Sequence, residues 1–230
     1  MKTQRTWRNL SWWGIAFSIA VVNGFLGNAV LFGFTADTLE AALDGRPQPL
    51  FPNPAPGQHP LILFYAIVVG LPFTFCGLFH VMRCQVFIDP QAAVLRSFIQ
   101  GFGLLGLVMG AIINLFFTAT ELYGGTAAEM RLTTLFNVTA VYFYIWSVGL
   151  AGIAFGLEMW RSRHIPRWLA GLSIGSNGAA ILIHSLAQNP DFPAFRLIIG
   201  LPFVSLDVIV WAFFLWLLSA GPDSESTMGQ

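Results

Sequence analysis

Six long apolar runs, separated by short polar segments, organise the chain. They cover about Trp12–Leu31, Leu61–Val81, Phe98–Thr118, Phe136–Gly156, Trp168–Ala187 and Leu197–Leu218. Each is close to the ~20 residues of helix that cross a hydrocarbon core. The bilayer core has no water to satisfy an open strand, and the runs are far longer than barrel strands, so the pattern predicts helices. Interior glycines are compatible with this, because membrane helices pack through them. Pro72 falls inside the second run and predicts a kink; Pro202 lies near the start of the sixth.

Composition makes the class firmer. Of 230 residues, 56% are hydrophobic and 10% are charged, against about 25% charged in a soluble domain. The expected fold is all-α: a polytopic six-helix transmembrane bundle forming one domain over residues 1–220. Basic residues set its orientation. Lys2, Arg5, Arg8, Arg83, Arg96, Arg161, Arg163 and Arg167 fall on one side, while Arg46, Arg131 and Arg196 fall on the other. By the positive-inside rule both termini are cytoplasmic. The first run has a basic start but is too long for a signal peptide and ends at no clean small-residue cleavage site, so it reads as a retained helix. The polar tail 221–230 reads as disordered. A bacterial inner membrane is the simplest location.

Between the first two runs, the outer loop 35–60 begins with a segment of helical character. It ends with six prolines in the fourteen residues from Pro47 to Pro60, which favour extended or turning backbone. A connector needs fewer residues. The loop reads either as a cover on the headgroups or as a lid over an outward-facing cavity. The segment between the second and third runs contains Asp89-Pro90 and is compatible with an early start of the third helix.

Metal and redox patterns are weak. Cys76 and Cys84, the only cysteines, lie eight residues apart near the reducing side and match no zinc or redox spacing. His80 projects about 13 Å inward of its run's midpoint and His184 about 10 Å outward of its own. Two ligands of one haem or zinc are not expected at that separation, and there is no HExxH. No metal and no cofactor are expected.

Asp207 is the most informative residue. A carboxylate in the middle of an apolar run is expensive unless it faces the bundle or a wet cavity. Helix projection places Asn23, Asn177, Tyr142 and Tyr144 at a similar depth, with Ser176 and Ser205 flanking. It finds no Lys or Arg there, so a lone carboxylate bonded to amides and hydroxyls is expected. Asn28, Asn114 and His184 project into a second layer toward the outside, with Asn137 and Thr139 above them. Two readings compete: interhelical glue, or a polar funnel leading to a ligand- or proton-binding cavity lined by Asp207, Asn23, Asn177, Tyr144, Asn28, Asn114 and His184.

Glycines mark packing faces. Gly103, Gly106 and Gly110 follow an i, i+3, i+7 spacing, and Gly149, Gly152 and Gly156 repeat it. Each set lines one face and contains a small-xxx-small pair. GLPF occurs at Gly70–Phe73 and Gly200–Phe203, but these segments do not correspond in a repeat of three helices. Trp7, Trp12, Trp13, Trp160 and Trp168 sit at the inner boundary as an aromatic belt. No phosphate-binding glycine loop, nucleophile elbow or lipoprotein cysteine is present.

The segment Met159-Trp160-Arg161-Ser162-Arg163-His164-Ile165-Pro166-Arg167-Trp168-Leu169-Ala170-Gly171 resembles a signature of a family of small bacterial six-helix membrane proteins, catalogued as a domain of unknown function. Ser162 and Pro166-Arg167-Trp168-Leu169 match it; Ala170 stands where the family usually has glycine. The resemblance implies six helices and a bacterial source, and carries no catalytic residues. Pro166, Arg167 and Trp168 also form an ordinary interface anchor: a helix start, a phosphate contact and an interfacial ring.

The sequence therefore reads as a non-enzymatic membrane protein that binds or passes a small or amphipathic ligand around Asp207. The alternatives are an accessory or assembly subunit, and an enzyme acting on a lipid or quinone through Asp207 and His184. The expected partners are membrane lipids, a small amphipathic ligand, and a second copy or another chain in an oligomer. Nucleic acid is not expected, because topology accounts for the inner basic residues.

Overall fold

The computed structural model describes residues 8–12, 14–16, 74–123, 127–162, 165–186 and 195–219, with side chains described outside 114–135, 137–138, 195–202 and 219. Six helical segments occur among them, and no strand. We label them α1 (8–12 and 14–16), α2 (74–87), α3 (Ala93–Tyr123), α4 (Ala127–Ser162), α5 (Arg167–Leu186) and α6 (Phe195–Ser219). Among the described residues three stretches are long and apolar enough to cross a membrane: Ala93–Ile113, Thr139–Ser162 and Arg167–Leu186. Phe203–Leu218 is a shorter apolar helix. The outer loop 35–60, the tail 221–230, and most of the first two expected spans lie outside the described residues.

The helices run past the apolar runs that announce them. α3 starts five residues before Phe98, and α4 has 36 residues, about 54 Å at 1.5 Å per residue. Hydropathy marks only the stretch matched to lipid, whereas a helix continues into water until a breaker stops it. Asp89-Pro90 is such a breaker between α2 and α3. Pro90 disfavours helical backbone at Asp89, and the Asp89 carboxylate accepts the Gln91 N–H at 2.8 Å. Ala92 then accepts from the Arg96 N–H at 2.9 Å and opens α3. α5 starts on the Pro166 carbonyl, which accepts from the Leu169 N–H at 3.0 Å and the Ala170 N–H at 3.4 Å.

α3 packs against α4, α4 against α5, and α6 against both α5 and α4. Small residues allow the close approaches. A Cβ on Gly106 would collide with Val148, one on Gly149 with Ile181, and one on Gly156 with Ile174. Gly103 faces Val81 and the Gly77 backbone, joining α2 to α3, and Gly14 meets Ala212, joining α1 to α6. Ser11 Oγ strengthens that last contact by donating to the Ala212 carbonyl at 3.1 Å. Gly110 is buried on α3.

Polarity is distributed inside out. Val94, Phe98, Leu104, Leu105 and Val108 are exposed along α3, and Phe213, Trp216 and Leu217 along α6, while Arg83, His80, Asn177, Ser173 and Asp207 are buried. An aqueous protein would hide the first group and hydrate most of the second. Helices in lipid do the reverse.

Candidate functional site

Asp207 anchors a polar network contributed by α2, α5 and α6. It lies midway along α6, fully buried. Arg83 Nη2 on α2 is 2.7 Å from Asp207 Oδ2 and forms a salt bridge in which neither side chain is exposed. From α5, Asn177 Nδ2 donates to the same oxygen at 2.8 Å, and Ser173 Oγ donates to Oδ1 at 2.6 Å. Trp211, one turn beyond Asp207 on α6, donates its indole N–H to Ser173 Oγ at 2.7 Å.

This corrects the expectation of a lone carboxylate with no Lys or Arg at its depth. Depth measured from each run's own midpoint places Arg83 beyond the second run, which ends at Val81. In the structure α2 continues to residue 87, so Arg83 is a helical residue one turn from its end. On α5, Ser173 lies six residues, about 9 Å of rise, from the Arg167 end. The middle of α6 therefore meets the C-terminal end of α2 and the N-terminal half of α5. Helices in one bundle need not share a midpoint, and the long Arg83 side chain covers remaining distance.

Aromatic rings enclose the guanidinium. Arg83 Cζ lies 4.2 Å from the Phe155 ring centroid and 5.7 Å from those of Phe79 and Trp211. Phe87, Phe155 and Trp211 pack mutually edge to face, at 6.3, 5.6 and 5.1 Å between centroids. A desolvated cation over such faces gains about 2 kcal/mol. Removing one partner of a buried ion pair typically costs ~3–5 kcal/mol, because the other is left uncompensated.

His80 joins the network one turn before Arg83. Its Nδ1 is 2.8 Å from Arg83 Nη2. Arginine has only donors, so Nδ1 accepts, and a neutral imidazole then carries its proton on Nε2. Arg83 Nη2 thus spends one N–H on Asp207 and one on His80. Arg83 Nε and Nη1, with His80 Nε2, are buried without a hydrogen-bond partner among the described residues. The carboxylate meanwhile has three donors. Hydrogen-bonding capacity in the network is unbalanced toward donors.

The other expected site residues are distributed as follows. Asn177 belongs to the network, and its amide also donates to the Ser173 carbonyl at 2.8 Å while resting against Gly152 of α4. Tyr144 is buried on α4, outside the hydrogen-bond partners of Asp207. His184 is buried two turns beyond Asn177, its ring 5.3 Å from that of Tyr142. Asn23 and Asn28 lie outside the described residues, as does the side chain of Asn114 on α3. At the anchor, Pro166 and Arg167 are exposed, Trp168 is 60% exposed, and the Arg167 guanidinium lies 5.9 Å from the Trp160 ring.

Sequence reasoning missed Arg83, His80, Ser173 and Trp211. Helical spacing contains the signal: His80 and Arg83 are three apart, Ser173 and Asn177 four apart, Asp207 and Trp211 four apart. Among the described residues no group of three or more His, Cys, Asp and Glu could hold a metal ion. Comparison with protein-family models, with curated proteins and with solved structures returned no match.

Proposed function

We propose that the chain is a non-enzymatic, six-helix protein of a bacterial inner membrane, with both termini in the cytoplasm, that binds a small or amphipathic ligand at the Asp207 network. The observation that carries this is the donor surplus. Buried donors without acceptors cost about 1–3 kcal/mol each, and here Arg83 Nε, Arg83 Nη1 and His80 Nε2 gather beside one ion pair. A network built only to hold helices together gains nothing from unspent donors, whereas a binding site uses them. Asp207 and His80 then act as the groups that fix Arg83 in place, and Arg83 faces the ligand.

The test is native mass spectrometry of the full chain extracted with its own lipids, wild type against Asp207→Asn. The expected result is one small molecule per chain in the wild type and its loss from a folded variant. A wild-type chain at its sequence mass contradicts the reading.

A second reading, an accessory or assembly subunit whose network is glue, draws on the complete burial of Asp207 and Arg83 and on their linking of α2, α5 and α6. It expects the clean chain, or stoichiometric capture of another protein in that spectrum.

A further inference from the structure

Resting on the binding reading above, we infer that the ligand of this network is a neutral carbonyl compound, its oxygen accepting from the Arg83 guanidinium, which Asp207 and His80 hold in place. Charge selects neutrality first. Arg83 and Asp207 cancel, and His80 is neutral because its Nδ1 accepts. An added anion would be an unbalanced charge in a low-dielectric interior, where burial of an isolated charge is prohibitive.

Hydrogen-bond polarity selects the functional group. Arg83 Nε, Arg83 Nη1 and His80 Nε2 offer only N–H. A carbonyl oxygen has two lone pairs and no proton to place. A hydroxyl or amine brings a proton of its own to a place where the Asp207 carboxylate already has Arg83, Ser173 and Asn177. The acceptor that remains unspent, Asn177 Oδ1, lies against Gly152.

The surroundings are aromatic, and they suit a carbonyl attached to an apolar body. Phe155 and Trp211 are fully buried, while Phe87 is only partly buried. Phe87 lies one turn past Arg83 near the end of α2 and touches both other rings. A quinone ring and a lipid ester present the same carbonyl chemistry.

The experiment titrates the purified full chain with two probes, a short-chain benzoquinone and a monoacylglycerol, each carrying a 13C carbonyl. Occupancy is read by native mass spectrometry and the carbonyl stretch by isotope-edited infrared spectroscopy. The expected result is one probe per chain, a stretch moved to lower wavenumber, and binding at least tenfold weaker in Arg83→Lys. Lysine keeps a charge opposite Asp207 but lacks the guanidinium's further donors. The double change Arg83→Gln with Asp207→Asn, which removes the guanidinium without leaving a buried charge, shows the same direction and serves if Arg83→Lys does not fold.

Binding of the quinone alone identifies a ring carbonyl, and binding of the glyceride alone an ester. If neither probe binds while the chain retains a native molecule lacking a carbonyl, the inference is overturned and the binding reading stands. Unshifted carbonyls with equal occupancy in both variants overturn it as well. If neither probe binds and no native molecule is retained, both fall.

Discussion

Trp211 and Asp207, one turn apart on α6, are clamped to a single hydroxyl on α5. Ser173 Oγ accepts the Trp211 indole N–H at 2.7 Å and donates its own proton to Asp207 Oδ1 at 2.6 Å. Ser173→Ala removes both bonds at once and leaves a buried indole N–H and a carboxylate lone pair unserved. The expected loss is about 2–4 kcal/mol of stability, read as a lower thermal midpoint in detergent. Ser176, on the same helix and buried, has an Oγ without a hydrogen-bond partner among the described residues. Ser176→Ala therefore shifts the midpoint little. Equal shifts for the two variants would contradict the clamp.

Gly152 sets the position of Asn177. A Cβ at residue 152 would lie inside contact distance of the whole Asn177 amide, so Gly152→Ala pushes that amide away from Asp207. Overpacking of this kind costs about 1–3 kcal/mol. Combined with Asn177→Ala, which removes the obstructing group, its cost falls below the sum of the two single changes. Gly175, with nothing within 4 Å of an added Cβ, is the control: alanine there is neutral or gains about 0.5–1 kcal/mol. Thermal unfolding of the four variants decides the matter, and strict additivity of the first two would separate Gly152 from the network.

Cysteine chemistry tests burial and orientation together. Cys76 and Cys84 are both fully buried, so a membrane-impermeant maleimide leaves the native wild-type chain unlabelled and reacts after denaturation. On that background, the proposed orientation predicts that Gln58→Cys, in the segment 35–60, is labelled in intact cells. Ser224→Cys in the tail is labelled only after the membrane is permeabilised. Labelling of residue 224 in intact cells would reverse the orientation argued from the basic residues.

Much of this architecture is legible in the chain, and its failures share one cause. Apolar runs announce the helices because lipid tolerates few alternatives, and Asp207 stands out because a carboxylate there demands a partner. Asn177 is legible for the same reason. The partner itself is not, because Arg83 reads as one more positive-inside residue just past an apolar run that ends at Val81. Helix continuation to residue 87 and the offset between α2 and α6 are tertiary facts that hydropathy does not encode. Ser173 is a subtler case. Ser176 is nearer to Asn177 in sequence, yet only the i, i+4 residue shares its helical face. Depth measured from the middle of each run treats six helices as cut to one length, which the 36 residues of α4 and 20 of α5 contradict.

The most direct measurement is a double-mutant cycle on Asp207 and Arg83, using Asp207→Asn, Arg83→Gln and the pair, with thermal or denaturant unfolding as readout. Each single change leaves a buried, uncompensated charge and costs about 3–5 kcal/mol, whereas the double change leaves none. The account predicts a double variant clearly more stable than the sum of the single losses allows, by more than about 1 kcal/mol. Additivity within about 0.5 kcal/mol would mean that the two side chains do not meet, and the network built on them would fall with that result.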